Sequence, residues 1–128
     1  MDDFAALMPF AVTVGVIIDS AHKDEVVGRL PYDESRTTAG GALHGGALMT
    51  LADSVGAACA FLNLPPGAST TTTSSSTVFL RGVRGNVTGT ARPLHAGRRT
   101  IAVSTELRDE QGRLVAQVTQ SQAVLADS

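Results

Sequence analysis

The feature that most constrains the fold is a long apolar segment from Ala42 to Leu64, which stops at Pro65 and Pro66. Its length and its alanine content favour a helix over a strand. A helix that is apolar on nearly all sides has to be covered on most of them. In a chain of 128 residues, the available cover is one curved sheet and a partner subunit. The segment therefore predicts one central helix that the rest of the chain wraps.

Segments rich in Val, Ile and Thr flank this helix and predict strands. Two precede the helix and four follow it, namely Phe10 to Ile18, Val26 to Leu30, Ser69 to Leu80, Asn86 to Leu94, Thr100 to Arg108 and Leu114 to Leu125. No repeat or linker interrupts them. This order predicts an α+β fold with an antiparallel sheet of about five to six strands wrapped around the helix. We expect a single domain over residues 1–128, with its core at about residues 10–125.

Composition excludes several classes of function. The formal net charge is −2, so no basic surface predicts nucleic-acid binding. The single cysteine, Cys59, cannot form an intramolecular disulfide. The acidic start at Met1, Asp2 and Asp3 lacks the positive charge of a secretory signal, and no apolar run approaches the ~20 residues of a membrane-spanning helix. We therefore expect a cytoplasmic protein with no membrane partner.

Asp53 is the only residue with a full charge between Arg36 and Arg81. It falls in mid-helix, away from the first turn in which the helix dipole stabilises a carboxylate. No Lys or Arg lies three or four residues from it. Burying an unpaired carboxylate is costly, so such a residue usually has a partner or a task. Two interpretations stay open: a functional carboxylate, or a residue that faces solvent or holds a loop.

The predicted helix opens on His44, Gly45 and Gly46. Glycines permit close approach of a ligand to the backbone, and free N–H groups at a helix N-terminus can stabilise an oxyanion. His44 is either functional or only a helix cap. Asp53 lies nine residues beyond His44, roughly 13 Å along a helix. Both residues can therefore line one cleft, but a substrate or a second subunit is needed to bring them together.

Other kinds of site find no support in the sequence. His22 and His95 are remote and show no ligand spacing, so no metal is expected. The G-x-S-x-G pattern of serine hydrolases and the glycine patterns of nucleotide-binding loops do not occur. Cys59 has Ala and Phe neighbours, which is a core setting rather than a reactive one.

The segment from Gly40 to Asp53, GGALHGGALMTLAD, resembles the signature of hotdog-fold thioesterases, and it looks most like the PaaI-like and 4-hydroxybenzoyl-CoA thioesterase group. The stretches Val78 to Arg81, Gly97 to Arg99 and Gly112 to Ala116 match that family in residue type and in order along the chain. The resemblance covers nearly the whole chain, from about Phe10 to Leu125. The spacing between the HGG sequence and the Asp is its most specific part.

This resemblance implies an acyl-CoA thioesterase that converts a small or medium acyl- or aryl-CoA into a carboxylic acid and CoA, with no cofactor. It also implies that two subunits join their sheets and form the active sites at their interface, usually in a tetramer of two dimers. The Gly45 N–H would polarise the thioester carbonyl, and His44 would help to position the thioester. Asp53 of the opposing subunit would attack the carbonyl or activate a water.

The resemblance implies further contacts with the substrate. A hydroxyl on the strand after the helix assists in the family, and Thr72 is the nearest match, with Thr73 and Ser74 as neighbours in register. The other candidates for substrate binding are Gly46, Met49 and, as ligands of the CoA phosphates, Arg81, Arg84, Arg98 and Arg99.

The chain departs from the family at one substrate-binding position. Thr38 stands six residues before His44, where the family often has an Asn or Gln that orients the water or the carbonyl. This departure predicts slow turnover or an unusual substrate, and it leaves open a hotdog protein that binds acyl-CoA without hydrolysing it. A hotdog hydratase is a separate alternative, whose His and acid patterns match this sequence poorly.

Overall fold

The computed structural model describes residues 5–126. The strands are β1 (Ile17–His22), β2 (Glu25–Leu30), β3 (Ser69–Phe79), β4 (Val87–Ala96), β5 (Thr100–Arg108) and β6 (Leu114–Leu125). The helices are α1 (Pro9–Val14) and α2 (Gly45–Leu62), with short 3-10 helices at Ala5–Leu7 and Glu34–Arg36. The six strands form one antiparallel sheet in the order β1-β2-β4-β5-β6-β3. The predicted α+β arrangement of one long helix and an antiparallel sheet is confirmed.

Two facing glycines let α2 lie close to the sheet. Gly28 in β2 pairs directly with Gly89 in β4. A Cβ atom at Gly28 would stand 2.7 Å from Cγ1 of Val55, and one at Gly89 would stand 3.3 Å from Cγ of Leu51. Both α2 side chains are fully buried. Because a side chain on either strand would push the helix away, the glycine pair determines where α2 crosses the sheet.

The expectation of a strand from Phe10 to Ile18 is wrong in its first part, which forms α1. Pro9 occupies the first turn, where its fixed φ suits a helix. Gly15, with φ of 105°, ends the helix, and its N–H donates to the carbonyl of Ala11. The Val-rich composition favours a strand, but burial of Ala11 against the core overrides that weak preference.

The central helix begins at Gly45 rather than at Ala42. The residues just before it are held in a loop, because the Leu43 N–H donates to the carbonyl of Val83 at 2.9 Å. By length and composition α2 could cross a membrane, contrary to the expectation from the sequence. Half of it is nevertheless buried within the fold, as in the core helix of a soluble protein.

β3 forms one edge of the sheet and pairs only with β6 among the described strands. Its register shifts between Thr72 and Ser74, so that Thr72 pairs with Gln122 while Ser75 pairs with Gln120. This bulge inserts Thr73 and lets residues on both sides of it face α2. The strand is 11 residues long and carries no charge. Its outer edge is therefore suited to pairing with another chain.

The glycine contact under α2 can be tested by adding a single methyl group. Gly28→Ala should lower the free energy of unfolding by about 1–3 kcal/mol, because the new Cβ overlaps Val55 and the core has no space to spare. Gly40→Ala is the matched control, since its nearest neighbour would be 3.9 Å away, and it should change stability by less than about 0.5 kcal/mol. Denaturant unfolding at one fixed protein concentration measures both. Equal stability of the two variants would contradict the packing described here.

Candidate active site

His44 caps the N-terminus of α2. Its backbone is extended, with φ of −65° and ψ of 136°, and its Nδ1 accepts a hydrogen bond from the Gly46 N–H at 2.8 Å. The His44 N–H donates to the carbonyl of Arg36, which ties the cap to the preceding loop. Because Nδ1 is occupied, Nε2 is the ring nitrogen left to contact a ligand. The capping role that the sequence left open is therefore present, and it leaves one side of the ring available.

The N–H of Gly45 is left without an acceptor within residues 5–126, whereas those of Gly46, Ala47 and Leu48 all donate to His44. The first N–H groups of a helix have no partner inside the helix, so a free one can bind an anionic or polarised oxygen. The ring of Phe79 lies against Gly45, 3.4 Å from the place of a Cβ atom. The geometry at Gly45 is that of a hydrogen-bond donor beside an apolar wall.

Asp53 lies in the middle of α2 and has no charged partner along the helix, as the sequence indicates, but it does have hydrogen-bond partners on the sheet. It is exposed in the single chain. Its Oδ1 accepts two hydrogen bonds, from Oγ1 of Thr72 at 3.0 Å and from Nε2 of Gln120 at 2.6 Å. Both donors reach the carboxylate from the sheet rather than along the helix. Its Oδ2 has no hydrogen-bond donor in the described part of the chain.

Two buried glutamines on β6 support this carboxylate, and the sequence analysis missed both. Gln120 contacts Asp53 directly, and Gln122 donates from its Nε2 to Oγ1 of Thr72 at 2.8 Å. Their side chains are almost completely buried. The available signal was strand alternation, since Gln120 and Gln122 share a face with the core residue Val118.

The two halves of the site line adjoining clefts along α2. One cleft of about 460 Å³ is lined by His44 and Gly46, and the other, of about 430 Å³, by Met49 and Asp53. Phe10 of α1 lines both clefts and stands where they meet. His44 and Asp53 do not touch each other, and a molecule in this groove could reach both.

The predicted hydroxyl residues on β3 occupy different places. Thr72 contacts Asp53, whereas Thr73 donates to the backbone carbonyl of Ser121 at 3.1 Å. Ser74 is exposed, and Ser75 lines the cleft beside Asp53.

Thr38 lies outside both clefts. It is exposed, and its Oγ1 accepts a hydrogen bond from the Gly40 N–H within its own loop. The loop residues that do line the first cleft are Ser35, Arg36 and Thr37.

The four arginines separate into two pairs at opposite ends of the molecule. Arg81 lines a small cleft with Gly45, and Arg84 comes close to Gly41, so both lie near the N-terminus of α2. Arg98 and Arg99 form the β4–β5 turn. The Val124 N–H, near the end of β6, donates to the carbonyl of Arg99, which places this turn at the other end of the sheet. The 18 residues of α2 separate these ends by about 27 Å. One subunit cannot bring all four to one phosphate group.

Neither the cysteine nor the histidines form a second reactive centre. Cys59 is buried, and burial raises the pKa of its thiol to about 11, so the nucleophilic thiolate is scarce. Within residues 5–126, no three His, Cys, Asp or Glu side chains come together as metal ligands.

The model of the thioesterase superfamily matches residues 40–116, more than half of the chain, and this stretch contains both His44 and Asp53. The chain belongs to the thioesterase superfamily. The family predicted from the sequence and the predicted enzyme class, thioester hydrolase, are thereby confirmed.

Individual relatives agree with this membership. The proofreading thioesterase EntH of Cronobacter sakazakii is 31% identical over 113 residues, which are 88% of this chain and 82% of that protein. A Vibrio cholerae protein provisionally named an esterase is 42% identical over 76 residues, which are 59% of this chain, and the match spans about half (51%) of that relative. The crystal structure of a thioesterase from Haemophilus influenzae has the same fold, with a TM-score of 0.90 at 24% identity over 98% of this chain and 87% of that one.

The two roles of His44 can be separated by substitution. His44→Ala should lower the free energy of unfolding by about 1 kcal/mol through loss of the cap, whereas His44→Asn should retain it because Asn is a strong N-cap. Both variants should lose thioester turnover, since neither offers a ring nitrogen to the cleft. Denaturant unfolding and thiol release measure the two effects. Normal turnover of His44→Asn would show that His44 is only a cap.

Proposed function

We propose that the chain is an acyl-CoA thioesterase that hydrolyses a small or medium acyl- or aryl-CoA to a carboxylic acid and CoA. The observation that carries this proposal is the arrangement of the Asp53 carboxylate. Thr72 and Gln120 both donate to its Oδ1, while Oδ2 has no donor among the described residues. The carboxylate lines a cleft that adjoins the N-terminus of α2. A base or nucleophile held by one oxygen keeps the other oxygen for chemistry.

The Asp53 carboxylate can act by either of two routes. As a general base, Oδ2 takes a proton from a water while the water oxygen attacks the thioester carbon. The C–S bond then breaks, and the proton passes from Asp53 to the departing CoA sulfur. As a nucleophile, Oδ2 attacks the same carbon, releases the CoA thiolate and forms an anhydride that water hydrolyses. Both routes place negative charge on the carbonyl oxygen, which needs a hydrogen-bond donor.

The free Gly45 N–H is the donor we assign to that oxygen. Gly45 and Asp53 are eight residues apart on α2, about 12 Å along its axis. This distance is too long for both to contact one thioester group within a subunit. The reaction therefore requires Gly45 of one subunit and Asp53 of another.

A homodimer with a two-fold axis near Met49 would meet this requirement. Met49 is midway between Gly45 and Asp53, so such an axis brings Gly45 of each subunit to Asp53 of the other. Met49 is 43% exposed and can contact its own copy across the axis. The open edge of β3 supports the same assembly, because it can pair with the β3 edge of a second subunit and would then cover the exposed Phe79 at its end. Two such dimers would form the tetramer that the family resemblance implies.

The arginines near Gly45 are the better candidates for the CoA phosphates. Arg81 lines a cleft of about 390 Å³ with Gly45 and Phe79, and Arg84 lies on the neighbouring loop. Arginine binds phosphate through paired N–H donors. Arg98 and Arg99 could contribute only from another subunit. The reaction needs no cofactor. The single cysteine is an unpaired, buried thiol, which suits the reducing cytoplasm, where the chain would act on CoA esters.

Replacing Asp53 tests this function. Asp53→Asn should lower kcat by about 10²–10⁴-fold, because the amide keeps the shape of the side chain but cannot accept a proton or attack the carbonyl. Thiol release from a panel of acyl- and aryl-CoAs measures the effect. Asp19→Asn, which removes an exposed carboxylate paired with Arg29, is the control and should leave kcat unchanged.

Two results would contradict the proposal at different levels. If the wild-type protein binds CoA and releases no thiol from any member of the panel, the chain is a binding protein. If turnover exists and survives in Asp53→Asn, the chain is a thioesterase with a different catalytic group.

A further inference from the structure

We propose that Gln120 is a positioning residue that fixes the orientation of the Asp53 carboxylate, and that Gly56 is a glycine in order to make room for its amide. The inference rests on the proposed role of Asp53 in thioester hydrolysis. It concerns a residue of β6, about 70 positions away from the helix motif in sequence, that acts through Asp53 rather than on the substrate.

The Gln120 amide is placed at a cost to the fold. The side chain is 1% exposed and lies in the middle of β6. Its Nε2 donates to Asp53 at 2.6 Å, but its Oε1 is buried and has no hydrogen-bond donor within the described residues. A buried acceptor without a donor is unfavourable, and an apolar side chain such as Leu would avoid that cost. The need to reach Asp53 explains why an amide occupies this position.

Gly56 also lowers the stability of the fold, and the position of the Gln120 amide explains why it is a glycine. It lies in the interior of α2, where Gly is a poorer helix former than Ala. A Cβ atom at this position would overlap Oε1 of Gln120. Glycine is therefore the residue that lets α2 cover the amide while Asp53, three residues earlier, meets the Nε2 of the same group.

A second chain of hydrogen bonds, from Gln122 through Thr72, reaches the same Oδ1 of Asp53. The Gln122 amide donates to Oγ1 of Thr72, which directs the hydroxyl hydrogen of Thr72 toward Oδ1 of Asp53. Gln120 and Gln122 are two residues apart on one strand, so both face α2. Two donors on Oδ1 hold the plane of the carboxylate and leave Oδ2 toward the cleft. The amide that the family often has at the position of Thr38 is absent here, but two amides support the site from β6.

The test compares Gln120→Leu with Gln117→Leu. Gln120→Leu removes the donor and fills the space, so kcat should fall about 10–100-fold, KM should stay within about threefold, and the melting temperature should not decrease. Gln117 lies on the other face of β6 and donates to Oγ of Ser104, so Gln117→Leu should leave kcat unchanged. Gly56→Ala is a second variant. Its methyl group displaces the Gln120 amide while favouring the helix, so kcat should fall by a similar factor.

The possible outcomes separate this inference from the proposed function. Wild-type kcat in a folded Gln120→Leu would overturn the inference and leave the thioesterase proposal standing. If Gln120→Leu fails to fold, Gly56→Ala decides: a reduced kcat supports the inference, and an unchanged kcat overturns it. Crystal structures of wild type and the variants give a readout that does not require turnover. The Asp53 carboxylate should rotate or split into two conformers once the amide is lost, and an unchanged carboxylate would overturn the inference even if no acyl-CoA is hydrolysed.

Discussion

The close contact of α2 with the sheet is the constraint on which both the core and the site depend. Leu51 and Val55 lie over the glycine pair of β2 and β4, and this contact fixes the rotation of the helix about its own axis. Asp53 is two residues from each of them, about 200° around the helix. The packing that buries one side of α2 therefore turns Asp53 toward β3 and the cleft. The site is a direct consequence of how the core is packed.

The parts of the fold that follow from local patterns could be predicted from the sequence. The bounds of β5 and β6 match the alternating Thr100–Arg108 and Leu114–Leu125 segments, because clear turns separate them. The central helix follows from its length and apolar character. α1 could not be predicted, since six residues of Val-rich sequence form a helix only through packing on the core.

The candidate site divides in the same way. The helix motif indicates His44 and Asp53, and family resemblance leads to Thr72 with its register left open. The bulge at Thr73 brings Thr72, rather than Thr73 or Ser74, into contact with Asp53, and no local pattern predicts the bulge. Gln120 reaches Asp53 across 67 positions of sequence, so its contact depends on the order of strands in the finished sheet. To predict the contact of Gln120 with Asp53, the sequence would have had to reveal the pairing of β3 with β6 and the face of the sheet on which each residue lies.

The most direct measurement concerns whether one active site draws on two subunits. Gly45→Pro removes the proposed donor N–H and keeps the helix start, because proline is favoured at the first helical position and the extended backbone of His44 suits a residue before proline. Its Cβ atom would make an ordinary contact with the ring of Phe79. Gly45→Pro and Asp53→Asn should each be inactive alone. Unfolded together in equal amounts and refolded, with mixing verified by native mass spectrometry, they should recover about a quarter of wild-type thiol release, because half of the dimers are mixed and each has one complete site. No recovery in verified mixed dimers would contradict a site shared between subunits.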